Sequence, residues 1–132
     1  MGGHTPSDGG WRGEMRVPGF QHIEPVRMEN GVATVRVGAG ATWHQLLRTL
    51  DRDGWSVAIM QSNDDFTVGG SISVDCHGWE PSAPPIASSV VAFSLLAADG
   101  SIVECRRDRP ADTDLLLEVS GCYGVFGILL EV

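Results

Sequence analysis

"TVGGSISVDCHG", residues 67–78, sets two adjacent glycines and a short apolar run among hydroxyl and thiol side chains and closes on His77-Gly78. Two structures suit such a stretch. It can be a buried strand with a tight bend, or a backbone track laid beside a ligand, where the missing side chains let another molecule approach. The choice decides the fold, because a track needs a scaffold around it to hold it open.

The chain has 132 residues, 42% of them hydrophobic, and a formal net charge of −8. That length encloses one core. The only cluster of basic residues is Arg106, Arg107 and Arg109, so a nucleic-acid partner, whose phosphates demand a positive surface, is not expected. No apolar stretch approaches the roughly 18 residues that cross a bilayer, and Met1 is followed by glycine and polar residues rather than a charged-then-apolar leader. Neither a membrane segment nor a secretion signal is expected. Cys76, Cys105 and Cys122 form no CxxC pair and no even-numbered framework, which suggests reduced thiols and a cytoplasmic location.

Seventeen glycines, about twice the usual share, fall singly or in pairs between apolar runs, the pattern of turns and close backbone approaches. Residues 1–11, "MGGHTPSDGGW", read as a loop suited to binding an anion through backbone N–H groups. In residues 31–55, "GVATVRVGAGATWHQLLRTLDRDGW", alternation predicts a strand over 32–37 and a turn over 38–40. Thr42 and Gln45 have capping-box spacing, and Trp43, Leu46, Leu47 and Leu50 share a helical face. Gly54 stands where a helix C-cap belongs, and residues 55–60 are expected as a short strand. Further on, residues 88–105 predict an antiparallel hairpin turning at Asp99-Gly100 as a type I′ turn. A short helix is expected from near Asp112, and residues 122–132, "CYGVFGILLEV", as a final strand. A helix-linked crossover beside an antiparallel hairpin makes the class α+β.

Common catalytic patterns are absent from this sequence. Ser71 and Ser73 lack the flanking glycines of a nucleophile elbow. His4, His22, His44 and His77 show no metal-ligand spacing, and Cys76-His77 are sequence neighbours, poorly placed for joint ligation. No metal is expected, and His44 is expected on the solvated face of its helix. The strand followed by Gly38-Ala39-Gly40 and a helix admits a dinucleotide turn facing a pyrophosphate. Trp43, however, occupies the place where a third glycine would allow close packing, and a structural turn is the better reading.

Taken together, "GGHTPSD" (2–8), "VRVGAGATWHQLL" (35–47), "MQSNDDFTVGGSISVDCHGW" (60–79), "LLAADGSIVECRR" (95–107) and "GCYGVFGILLEV" (121–132) follow one another in an informative order. The set resembles the FAD-binding domain of the vanillyl-alcohol-oxidase family, the PCMH-type FAD-linked oxidases. The middle of the chain is similar to bacterial FAD-binding oxidoreductases, and "GGHTPSD" to sugar-lactone oxidases. The resemblance implies a two-lobed domain holding an extended FAD, and it favours the track for residues 67–78. It also implies that residues 1–132 are a partial domain, incomplete at both ends, because the elements before the first phosphate loop and the substrate domain after the last strand are missing.

Carried over by the resemblance, Gly2, Gly3, His4 and Thr5 match the tail of the first phosphate loop. Ser62, Thr67 and Gly70, with Val68 and Gly69 between them, match positions beside the phosphates and ribitol. Val74, Asp75, Cys76 and His77, ending at Gly78, match the flavin-lining stretch, and Ile128 after Gly127 matches a position on the adenine side. Glycine-rich backbone would meet the pyrophosphate through exposed N–H groups. His4 stands where some relatives join the flavin covalently. Gly121-Cys122 departs from the paired glycines usual before the last aromatic. The function implied is oxidation of an alcohol, sugar or lactone CH–OH group by hydride transfer to the flavin, with oxygen or another acceptor taking the electrons. The base that removes the hydroxyl proton belongs to the missing domain, so no catalytic residue is assigned. The alternative is a noncatalytic module or decayed fragment that keeps the fold and holds no flavin; a nicotinamide-binding protein is a third reading.

Overall fold

The computed structural model describes residues 19–132. The expected positions Gly2, Gly3, His4 and Thr5 lie outside the described residues. The elements run in the order β1 (Arg27–Glu29), β2 (Val32–Thr34), α1 (Trp43–Asp51), α2 (Val68–Ser73), β3 (Ala92–Leu96), β4 (Ile102–Arg106), α3 (Thr113–Val119) and β5 (Ile128–Glu131). Short 3₁₀ turns at Ile86–Ser89 and Pro110–Asp112 precede β3 and α3. The class is α+β as the sequence predicts.

Helix α1 forms where the capping box places it. The Thr42 hydroxyl accepts the Gln45 N–H at 3.2 Å, and the Gln45 side chain accepts the Thr42 N–H at 2.9 Å. Trp43, Leu46 and Leu50 are buried on one face, each contributing on the order of 1.5–3 kcal/mol of burial. Gly54, at φ +74°, turns the chain away, and the Trp55 N–H bonds the Leu50 carbonyl at 3.0 Å.

The core joins α1 and α2 to one face of a three-stranded antiparallel sheet, ordered β4-β3-β5. Phe93 and Leu95 of β3 point into it, with Cys105 opposite Phe93 in the register. Burial pushes the Cys105 thiol up from its ordinary pKa, which keeps it protonated. The Arg107 guanidinium donates to the carbonyls of Val90 at 2.8 Å and Ala87 at 2.9 Å, pinning the 3₁₀ turn to the end of β4. Beyond β5, Val132 exchanges two 2.8 Å backbone bonds with Val37, and Ala39 N–H reaches the Leu130 carbonyl at 2.9 Å. The end of the sheet is thereby stitched to the turn that leads into α1.

Four expectations change. Strand β2 stops at Thr34, with Val37 and Gly38 making only isolated bridges. Residues 55–60 are irregular: Val57, Ile59 and Met60 pack against the core, but no strand among the described residues lies beside them to form a ladder. Residues 121–126 are turns, because Gly121, Tyr123 and Gly124 all adopt positive φ, and only Ile128–Glu131 is strand. The hairpin between β3 and β4 turns at Asp99-Gly100, but only Gly100 has positive φ, so the turn is not type I′. Gly100 N–H bonds Ala97 O at 3.0 Å and Ala97 N–H bonds Ser101 O at 2.9 Å, a three-residue loop closed by a left-handed glycine. The Asp99 carboxylate accepts the Ser101 hydroxyl and N–H, which holds its pKa below the usual range. The two-residue turn with both φ values positive is instead Asn30-Gly31, at +51° and +81°, joining β1 to β2.

Candidate functional site

Residues 67–78 are not a strand. They begin with a helix of a turn and a half, α2, held by bonds from outside itself. Val68 N–H reaches the Ala41 carbonyl at 2.8 Å, Gly69 N–H the Ala39 carbonyl at 2.9 Å, and Gly70 N–H the Thr67 hydroxyl at 3.2 Å. A Cβ on Gly69 would stand 2.7 Å from the Ala39 methyl, so this glycine serves close packing of α2 on the turn before α1. Val68 and Ile72 are buried, whereas Gly70 and Val74 lie on the opposite, exposed side. Asp75, at φ +50°, ends the helix in the left-handed region usually left to glycine.

Two neighbouring segments complete this face. The bridge between Gln61 and Gly78 sets Ser62 beside His77, and Gly78 has no room for a side chain because a Cβ would collide with the Met60 carbonyl. On the other flank, Gly121 N–H bonds the Ile72 carbonyl at 3.2 Å and Tyr123 N–H the Ser73 carbonyl at 2.9 Å. These satisfy carbonyls at the end of α2. The flank then presents Tyr123 (78% exposed), Val125 (82%), Phe126 and Ile128 to solvent. Gly127 approaches the Leu96 carbonyl so closely that no Cβ fits there.

The structure therefore divides the sequence-predicted residues. Ser62, Gly70, Val74, His77 and Ile128 are exposed, and Thr67, Asp75 and Cys76 are partly so. Val68 and Gly69 are buried, and Gly69, Gly78 and Gly127 are explained by contacts within the chain. The expectation that glycine N–H groups would meet a pyrophosphate is corrected at the glycines of α2, while Gly2 and Gly3 lie outside the described residues. Those of Gly69 and Gly70 are already bonded, and what remains at this point is the Thr67 hydroxyl, which accepts from Gly70 and keeps its own proton to donate. The exposed apolar trio Tyr123, Val125 and Phe126 has no local signal in the sequence, because the segment is held by the bonds of Gly121 N–H to the Ile72 carbonyl and Tyr123 N–H to the Ser73 carbonyl.

The start of α1 is closed. Trp43 N–H bonds Phe66 O at 3.1 Å, His44 N–H bonds Asp64 O at 2.8 Å, and Thr42 and Gln45 satisfy each other. All four backbone N–H groups are occupied, and Gly38 and Gly40 face the Phe20 backbone. A pyrophosphate finds no free backbone N–H there, and the dinucleotide turn depends on such groups, which removes that reading. His44 is exposed as expected, although its ring pairs with the Asp64 carboxylate at 2.8 Å.

Chemically, the face around α2 offers the hydroxyls of Ser62 and Thr67 and the open side of Gly70, bordered by Val74, Tyr123, Phe126 and Ile128. That donor set fits an extended molecule with a polar middle and flat apolar ends. The segments that form it carry no cation: no Arg or Lys occurs between Arg52 and Arg106 or after Arg109, while Asp64, Asp65, Asp75 and Glu80 do. A bound polyanion would draw its countercharge from elsewhere.

A family model described as FAD binding domain matches residues 2–106. L-gulonolactone oxidase of Mus musculus is 30% identical over 125 residues, covering 94% of this chain and 28% of that protein. Decaprenylphosphoryl-beta-D-ribose oxidase of Mycolicibacterium smegmatis is 32% identical over 118 residues, covering 87% of this chain and 25% of that protein. Among solved structures, cholesterol oxidase from B. sterolicum superposes with a TM-score of 0.67 at 22% identity, over 86% of this chain and 22% of that one. 6-Hydroxy-D-nicotine oxidase from Arthrobacter nicotinovorans gives 0.67 at 18% identity, over 81% and 23%. These two likenesses show a shared fold. The chain spans about a quarter of the length of the curated relatives it matches.

Proposed function

The chain belongs to the FAD binding domain family, and on that premise we propose that it forms the surface of a flavin-dependent oxidoreductase along which FAD lies. The cofactor runs across the exposed side of α2, with its phosphates and ribitol beside Ser62, Thr67 and Gly70. Its rings lie against the stretch from Val74 to His77 and against Ile128. The observation that carries this placement is the open side of Gly70 beside the Thr67 hydroxyl, on a helix whose other side is buried. Bound FAD supplies a flavin ring that takes up a hydride. The substrate proposed is the CH–OH group of an alcohol, sugar or lactone, in keeping with relatives named as lactone and alditol oxidases. Oxygen or another acceptor reoxidises the enzyme. This chain's residues bind and orient, and none is assigned as acid or base.

Titration of the chain with FAD, followed by quenching of flavin fluorescence, tests the placement. Gly70→Val is expected to weaken binding about tenfold or more, because its Cβ displaces the Thr67 hydroxyl 2.8 Å away and its branches fill the space beyond. An unchanged dissociation constant refutes it. The absence of any Arg or Lys between Arg52 and Arg106 favours a second reading, a module that keeps the fold and holds no flavin, and the wild-type titration distinguishes the two. A covalent link through His4 is proposed on the resemblance alone. Acid precipitation of FAD-loaded protein gives a yellow pellet, colourless in His4→Ala, if the link forms; free FAD in the supernatant refutes it.

A further inference from the structure

One buried polar contact lies outside the proposed binding surface. The Trp43 indole N–H, in a residue 4% exposed, donates to the Ser71 hydroxyl at 2.8 Å, and Ser71, 1% exposed, donates in turn to the Thr67 carbonyl at 3.0 Å. An indole nitrogen only donates and a hydroxyl has one proton, so the chain has a fixed direction from α1 through α2 to Thr67. Its neighbours Leu46, Val68 and Ile72 are apolar and buried. Replacing both partners of such a pair by apolar groups of similar shape is close to neutral for stability. What the pair adds is direction: it ties the residue that caps α2 to the rigid start of α1. Around it, Trp43 N–H holds Phe66 O, His44 N–H holds Asp64 O, and Val68 N–H holds Ala41 O, so the segment before α2 is registered on α1.

We propose that Trp43 and Ser71 are positioning residues for cofactor binding, holding Thr67 so that its hydroxyl, and the open side of Gly70, face the FAD. This rests on the FAD reading of that face. Neither residue touches the cofactor; both act through Thr67.

The full chain with Trp43→Phe, Ser71→Ala and the double substitution is compared by two readouts, amide hydrogen exchange at Gly70 without cofactor and FAD titration. Each single substitution is expected to speed exchange at Gly70 and weaken FAD binding, each by up to about tenfold, the change that one hydrogen bond supports. The double substitution is expected to match the larger single effect, because the bonds are in series. Unchanged exchange at Gly70 overturns the proposal whether or not FAD binds. Faster exchange with unchanged FAD affinity overturns the cofactor role and leaves the FAD reading standing. Fully additive effects overturn the series arrangement in favour of two separate packing contributions. A wild-type chain that binds no FAD while its Gly70 exchange still responds overturns the FAD reading and, with it, the role proposed here. If Ser71→Ala fails to fold, Trp43→Phe, which keeps an aromatic ring and deletes the donor, decides by the first two criteria.

Discussion

Thr42 leading into α1 and Thr67 leading into α2 are built alike: each is a threonine in extended conformation whose hydroxyl accepts the N–H three residues on, and glycines lie beside each. They differ in what their glycines face. Before α1, Gly38 and Gly40 turn their empty sides to the Phe20 backbone, whereas at α2 Gly69 faces Ala39 and Gly70 faces solvent, with only the Thr67 hydroxyl nearby at 2.8 Å from an added Cβ. The same residue type thus closes one helix start and opens the other. A glycine-rich turn in a sequence announces close approach and leaves unsaid whether the approaching group is the chain itself or a ligand.

The largest expected effect falls on the closed side. Gly38→Ala drives a Cβ into the Phe20 carbonyl, a backbone atom held by the Gly40 N–H, and should cost about 3 kcal/mol, the upper end for overpacking. The midpoint of urea unfolding measures it, and a loss below about 1 kcal/mol would show that this turn is looser than described. Next come the two caps: Thr42→Ala and Thr67→Ala should each cost about 1 kcal/mol of stability, but only Thr67→Ala should also weaken FAD binding. Equal losses of FAD affinity would erase the contrast between the two starts.

The smallest effect is a pH dependence on the closed side. His22, whose carbonyl accepts the Gly38 N–H, bonds through its ring to the Gly19 carbonyl at 3.0 Å and to Glu131 at 2.7 Å. The Gly19 bond foremost, with Glu131 and Glu24, raises its pKa above the ordinary 6.5 against a lowering by burial. A raised folded value means that the added stability is fully present below about pH 6.5 and fades as pH rises through the folded pKa. With both partners partly exposed, this is worth about 0.5 kcal/mol. Melting curves of wild type and His22→Gln should therefore converge as the pH climbs above neutrality; curves that diverge would reverse the sign.

What could be read from the sequence was local. The capping box at Thr42 and Gln45 and the helix from near Asp112 involve residues within one turn of each other. Asn30-Gly31 is equally local, the strongest of two-residue hairpin signals, but the strand before it is three exposed residues with no apolar alternation to mark it. Helix α2 is hidden because Gly-Gly-Ser is poor helix material, and it forms with its first N–H groups donating to the carbonyls of Ala41 and Ala39, nearly thirty residues earlier in the chain. Residues 55–60 mislead in the opposite direction, since burial of Val57 and Ile59 imitates a strand without a ladder. At the candidate site, hydroxyls and glycines could be named from the motif, but which glycine stays open depends on where Ala39 and Met60 come to rest.

The paired bonds between Val37 and Val132 have a kinetic side. They join positions far apart in the chain, and so long a loop closes at an entropic cost before any contact offsets it. Topology of this kind slows folding. Until β5 docks, β3 keeps an unpaired edge and the turn before α1 lacks its partner strand, an arrangement open to pairing with other chains. The order of events is thereby constrained: α1 and the β3–β4 hairpin can form early from local contacts, while the seam that joins them is expected to close last. The stretch from Ile128 to Val132 is then the step during which a crowded solution is most hazardous to this protein.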